Sequence, residues 1–190
     1  MNKEKYIAIF LLLVAVGTGA YFYMSGGRYP MAIVGGSVIT KNEFAKNYNA
    51  HYNYYYAAAK TYGGIKEFAT EEAVLEIKRA TLEQLILNIL VRGEVKTRLG
   101  NSYDSVLGNK IKIADANPDF QTAAAAIYGI SFKEFEENVL IPMAELEILE
   151  GQLFAKSQSL DEWLKSAKEG AQVIILDSAF SWSKNGVELK

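Results

Sequence analysis

From Leu82 to Val91 the chain reads LEQLILNILV, and at 100° per residue Leu82, Leu85, Ile86, Leu87, Ile89, Leu90 and Val91 cover nearly every side of a helix. A helix apolar all round cannot lie on a surface. Other helices must surround it, so this segment is the expected core and the fold class is mostly α. Thr70 or Glu71 opens the helix, and Gly100 stops it after Leu99. Arg92, Glu94, Lys96 and Arg98 read as an ordinary exposed charged turn that returns its end to water.

The helices begin at a short block, Ile33 to Phe44, reading IVGGSVITKNEF. A strand from Met31 to Val34, a Gly35-Gly36 turn and a strand from Ser37 to Ile39 lead into Thr40-Lys-Asn-Glu43, a capping box in which hydroxyl and carboxylate each satisfy a free backbone N–H. The helix that follows, about Lys41 to Lys60, sets a stripe of Phe44, Tyr48, His51, Tyr55, Ala58, Ala59 and Tyr62 opposite Asn42, Lys46, Asn49, Asn53 and Lys60. Six tyrosines fall between Tyr48 and Tyr62. Most can pack on neighbouring helices with hydroxyls in water, whereas those off the stripe offer a rigid, adaptable surface for extended polypeptide.

Gly63-Gly64 separates this helix from the core helix. Beyond Gly100, Asn101 or Ser102 caps a helix carrying Tyr103, Val106, Leu107 and Ile111, and Asn117-Pro118-Asp119 opens another from Phe120 to Tyr128. Ser131-Phe-Lys-Glu134 is a second capping box. It starts a long helix toward Phe154, with Phe135, Val139, Leu140, Leu146, Ile148 and Leu149 inward and a kink expected at Pro142. A last helix carries Trp163 and Leu164. Val173 to Leu176 is a β-branched run expected to join the Met31–Ile39 hairpin, with Phe180 and Trp182 in a partner strand.

Tyr6 to Met24 is uncharged and long enough to span the roughly 30 Å hydrocarbon core. Lys3 and Lys5 precede it and Arg28 follows, so residues 1–28 are expected to be a membrane anchor and tether, with the domain at 29–190 extracytoplasmic. The competing reading is a cleaved signal peptide, for which Ala15-Val16-Gly17 and Thr18-Gly19-Ala20 are weak cleavage sites. Net charge is −2, and residues 1–28 carry +2 of it, which leaves a mildly acidic domain without the basic field that nucleic acid requires. Without cysteine there is no thiolate catalysis, disulfide or Cys-based zinc site, and His51 alone cannot build a two-histidine metal centre. No nucleophile elbow, P-loop, dinucleotide fingerprint or zincin motif occurs, so no enzyme activity, catalytic residue, metal or cofactor is expected.

The ordered set IVGGSVITKNEF, LEQLILNILVRGEVKTRLG, YGISFKEFEENV and DEWLKSAKEGAQVIIL, behind a membrane leader, resembles the N-terminal chaperone domain of the SurA, PpiD and PrsA group of extracytoplasmic folding factors. Members of that group commonly carry a parvulin prolyl isomerase domain between the long helix and the closing helix, where this chain has only Ala155 to Ser159. The resemblance therefore implies a SurA N-terminal-like domain with a small sheet from its two ends and no residues for isomerisation. It implies binding of unfolded or nascent secreted polypeptides near the cytoplasmic membrane, with Tyr52, Tyr54, Tyr56, Tyr62 and Phe68 as candidate client-binding residues. The alternative is a non-catalytic subunit that docks one specific envelope partner.

Overall fold

A computed structural model describes residue 9 and residues 12–14, 16–17, 29–115 and 117–190. Strands β1 (Pro30–Val34) and β2 (Ser37–Thr40) form an antiparallel hairpin, with Ile33 opposite Val38 and Val34 opposite Ser37. Its two-residue turn puts Gly35 at φ 53° and Gly36 at φ 91°, left-handed values that glycine adopts without strain. Strand β3 (Val173–Ile175) returns from the far end of the chain and pairs antiparallel with β1, giving the order β2-β1-β3. The expected closure of the domain by its two ends is therefore present.

Helix α1 (Lys41–Tyr62) starts at the Thr40 cap, whose hydroxyl accepts from Glu43 N–H at 3.1 Å; only this half of the expected box is formed. The short α2 (Ile65–Phe68) leads to α3 (Glu71–Leu99), capped by Thr70 and ended at Gly100. After one 3₁₀ turn, Gly100–Ser102, come α4 (Tyr103–Asp115) and α5 (Pro118–Ala123), which runs on as a wide π turn over Ala124–Tyr128. Helix α6 (Phe132–Phe135) opens with the complete Ser131–Glu134 box, widens to a π turn at Glu136–Leu140 and continues as α7 (Ile141–Phe154). Where the kink at Pro142 is expected, a wide turn precedes the proline, which gives the ring room where it would otherwise crowd the carbonyl of Asn138. Helix α8 (Leu160–Gly170) precedes β3.

Helix α3 contributes to two of three apolar clusters. Leu82, Leu85 and Ile86 pack under the sheet with Met31, Val34, Ile39 and Phe44. Further along, Val91 and Val95 meet Ile148, Leu149 and Leu153 of α7, and a third cluster joins Ile111, Ala124, Phe135 and Leu140.

Two expectations need correction. Phe180 and Trp182 do not pair with β3: they lie in β4 (Phe180–Ser183), whose antiparallel partner is β5 (Gly186–Leu189), a separate two-stranded ribbon. An ion network holds this ribbon to α3, where Arg79 bonds Glu76, Glu83 and the Val187 carbonyl, and Lys168 of α8 bonds Glu83 and the Asn185 carbonyl. Gly186 permits that closeness, because at φ 123° a Cβ there would meet Glu83 Oε1 at 2.5 Å. Nor is Arg92 part of an exposed turn. Its Nε donates to Glu145 Oε1 at 2.8 Å, and the Tyr103 hydroxyl donates to the same oxygen of a carboxylate that is 0% exposed.

The expected membrane span at residues 6–24 lies largely outside the described residues. Among those described, residues 9, 12–14 and 16–17 are helical, and no helix is long and apolar enough to cross a membrane.

Candidate functional site

The site lies between α1 and α3. In its first half α1 turns Phe44, Asn47 and Ala50 inward, where Asn47 Nδ2 donates to the Glu43 carbonyl and, at 3.4 Å, to Asn138 Oδ1 across the fold. This buried edge keeps Phe44 of the expected stripe but sets Asn47 and Ala50 inward, leaving Tyr48 and His51 half-buried and Tyr55 exposed. The buried amide is tolerated because both bonds are made. One turn on, His51 Nδ1 lies 2.9 Å from Thr81 Oγ1, and that hydroxyl spends its proton on the Ile77 carbonyl at 2.7 Å. Thr81 must then accept, so the imidazole proton is on Nδ1 and Nε2 is left as an acceptor. Burial holds the His51 pKa below its ordinary value and favours this neutral form.

Beyond His51 the helix emerges. Tyr54, Tyr55 and Tyr56 are exposed, and Tyr62 is 88% exposed. Between this half of α1, α2 and the first turns of α3 lies a cleft of about 630 Å³. Ala58, Ala59, Ala73 and Ala80 make its small-residue lining, Tyr55, Tyr62, Phe68 and Ile77 its large apolar groups, and Glu76 is the one acid among the lining residues. A second groove of about 440 Å³ adjoins it, between α1, α3, the Glu136–Leu140 turn, α7 and α8. Tyr55 and Ala80 line both, so the two grooves meet at these residues.

The candidate residues divide over this surface. Tyr62 and Phe68 line the first cleft and Tyr54 the second. Tyr52, Tyr56 and Phe68 cluster, with Tyr52 to Phe68 at 4.8 Å and Tyr56 to Phe68 at 5.8 Å between ring centres, but Tyr52 and Tyr56 line neither groove. They brace Phe68 in position. Tyr54 instead stacks on Tyr128 at 5.3 Å, and Asn53 Nδ2 donates to the Tyr128 carbonyl at 2.9 Å, which fixes the π turn against α1. Burial raises the Tyr128 pKa and, to the same effect, that of Tyr48.

Three kinds of lining residue were not singled out from sequence. Tyr55 was assigned to packing by its place in the stripe. The alanines carry no signal by type, although Ala58 and Ala59 fall at the right spacing. The carboxamides Gln84, Asn88 and Asn138 become neighbours of the groove only through tertiary packing. Among the described residues no group of three histidine, cysteine or acidic side chains could hold a metal ion.

A family model described as a SurA-like N-terminal domain matches residues 2–139. The match takes in α1, α2, α3 and the wall of the second groove up to Val139. No curated protein and no solved structure matches the chain.

Proposed function

Because this chain belongs to the SurA-like N-terminal domain family, we propose that it is a membrane-anchored, extracytoplasmic chaperone-like protein that binds unfolded or translocating polypeptides without isomerising them. The observation that carries the reading is the pair of adjoining grooves beside α1, lined by Tyr54, Tyr55, Tyr62 and Phe68 together with alanines. Large aromatic groups around small residues leave room for side chains of varied shape, and tyrosine gives contact area at low entropic cost while tolerating water when the site is empty. Such a surface suits weak, promiscuous association. The anchor at residues 6–24 would hold it where chains emerge and raise its effective concentration there.

The test uses the full chain in lipid nanodiscs with a chemically unfolded secreted protein diluted beside it. Light scattering is expected to rise more slowly than with empty nanodiscs, and a photo-crosslinker at Tyr62 to capture the client. Unchanged scattering together with no crosslink would remove the reading. Capture of a single native envelope protein and no unfolded client would replace it with the one-partner alternative.

A further inference from the structure

Resting on the reading of the adjoining grooves as a polypeptide site, we propose that the second groove holds an extended client strand by the main chain, so that the protein selects backbone free of secondary structure. Gln84 and Asn88 stand one turn apart on α3, which separates them by about 6 Å along the helix axis. Their carboxamides reach each other in one hydrogen bond, so together they offer one acceptor and one donor side by side, the pair that an extended strand presents along its free edge, whereas a helical ligand has already paired its peptide groups internally.

The amides are half committed. Gln84 Nε2 donates to Asn88 Oδ1 at 2.8 Å, which leaves Gln84 Oε1 to accept and Asn88 Nδ2 to donate. On the facing wall Asn138 uses Oδ1 to accept from Asn47 and keeps Nδ2 for donation. His51, with its proton on Nδ1, adds an acceptor at Nε2. Donors and acceptors are thus both on offer, as a peptide chain requires, since each residue brings one of each. Leu87, Val139, Met143 and Leu146 beside them make the groove partly apolar, which strengthens a hydrogen bond once water leaves. The first cleft is a contrast, with alanines and aromatic rings and no carboxamide. Client side chains fill that cleft, and the strand continuing past Tyr55 is gripped by its backbone.

The experiment compares a short, unstructured apolar peptide with its depsipeptide, in which alternate N–H groups are ester oxygens, by fluorescence anisotropy against the full chain in nanodiscs. The depsipeptide is expected to bind about tenfold more weakly, the loss of one or two net hydrogen bonds. The Gln84→Leu, His51→Leu double variant, which removes the two acceptors that client N–H groups would meet, is expected to lose about tenfold for the peptide and to bind both ligands alike. Equal binding of peptide and depsipeptide by the unaltered chain overturns the proposal while leaving the chaperone reading in place; this comparison decides even if the double variant fails to fold. A folded double variant that still prefers the peptide also overturns it. Binding of neither ligand removes the chaperone reading, and this proposal with it.

Discussion

The two halves of α1 are built from similar residues and meet different surroundings. From Phe44 to His51 the helix lies against the hairpin, α3 and the Glu136–Leu140 turn, with Phe44, Asn47 and Ala50 buried and polar groups bonded across the fold. From Tyr54 to Tyr62 four tyrosines are exposed, and two of them, Tyr55 and Tyr62, line a cleft with alanine. Tyrosine makes the second condition tolerable, because its hydroxyl stays in water while its ring rests on apolar neighbours. The anchored half thus supplies stability and the bare half supplies surface, and a change in one should leave the other's property nearly intact.

The largest test of that division lies under the anchored half. Leu82→Ala opens a cavity in the fully buried cluster beneath the sheet and should cost about 3 kcal/mol in urea unfolding, while client affinity of the remaining folded protein stays unchanged. A loss below about 1 kcal/mol would show that this cluster does not anchor the domain. Arg92→Met should cost slightly less, about 2 to 3 kcal/mol, because it strands the buried Glu145 carboxylate with Tyr103 as sole donor, though Arg92 itself is partly solvated. The same triad pushes the Tyr103 pKa up to about 12, mainly by burial and then by its bond to Glu145. Stability from that hydroxyl is present below its ordinary pKa of about 10 and fades as pH rises toward 12; Tyr103→Phe should flatten that alkaline loss.

His51 stands where the two halves meet and gives a smaller effect. Its folded pKa lies below the ordinary 6.5, so the unfolded chain binds the proton more readily. Stability is therefore complete above about pH 6.5 and declines as pH falls from there toward the lower folded value. His51→Gln should remove that part of the decline in denaturant midpoints taken at successive pH values, and an unchanged profile would exclude His51 as its source. The acid-side contributions of Glu76 and Glu134, whose pKa values lie below the carboxylate norm through bonds to Arg79 and Ser131, fade only at lower pH. Least of all in stability is Tyr62→Ala, expected within about 0.5 kcal/mol because the side chain is almost wholly in water. It should nevertheless weaken client binding. A full loss of stability at Tyr62 would erase the contrast between the halves.

Much of the fold was legible because its signals are local. Thr70 and Gly100 bracket α3, the Ser131–Glu134 box marks α6, and the β-branched run at Val173 identifies the strand that closes on β1. The ribbon of β4 and β5 was missed although Asn185-Gly186 between apolar alternations carries the hairpin signal. What was illegible is relational. Nothing near Arg92 announces Glu145, and periodicity cannot choose an inward edge for a helix with tyrosine on several faces; the choice was made by Asn47 and its partner Asn138 in another helix. For the same reason Tyr62 and Phe68 could be named for the site, whereas Gln84 and Asn88 could not.

The pairing of Ala32 with Ile175 also sets an order of events. A chain made from its N-terminus delivers β1 early and its partner late, so β1 waits with one edge unpaired while the helices gather. Contacts this distant in sequence are slow to form and leave an adhesive strand open meanwhile. The protein proposed here to shield unfinished chains is, until β3 arrives, an unfinished chain of the same kind.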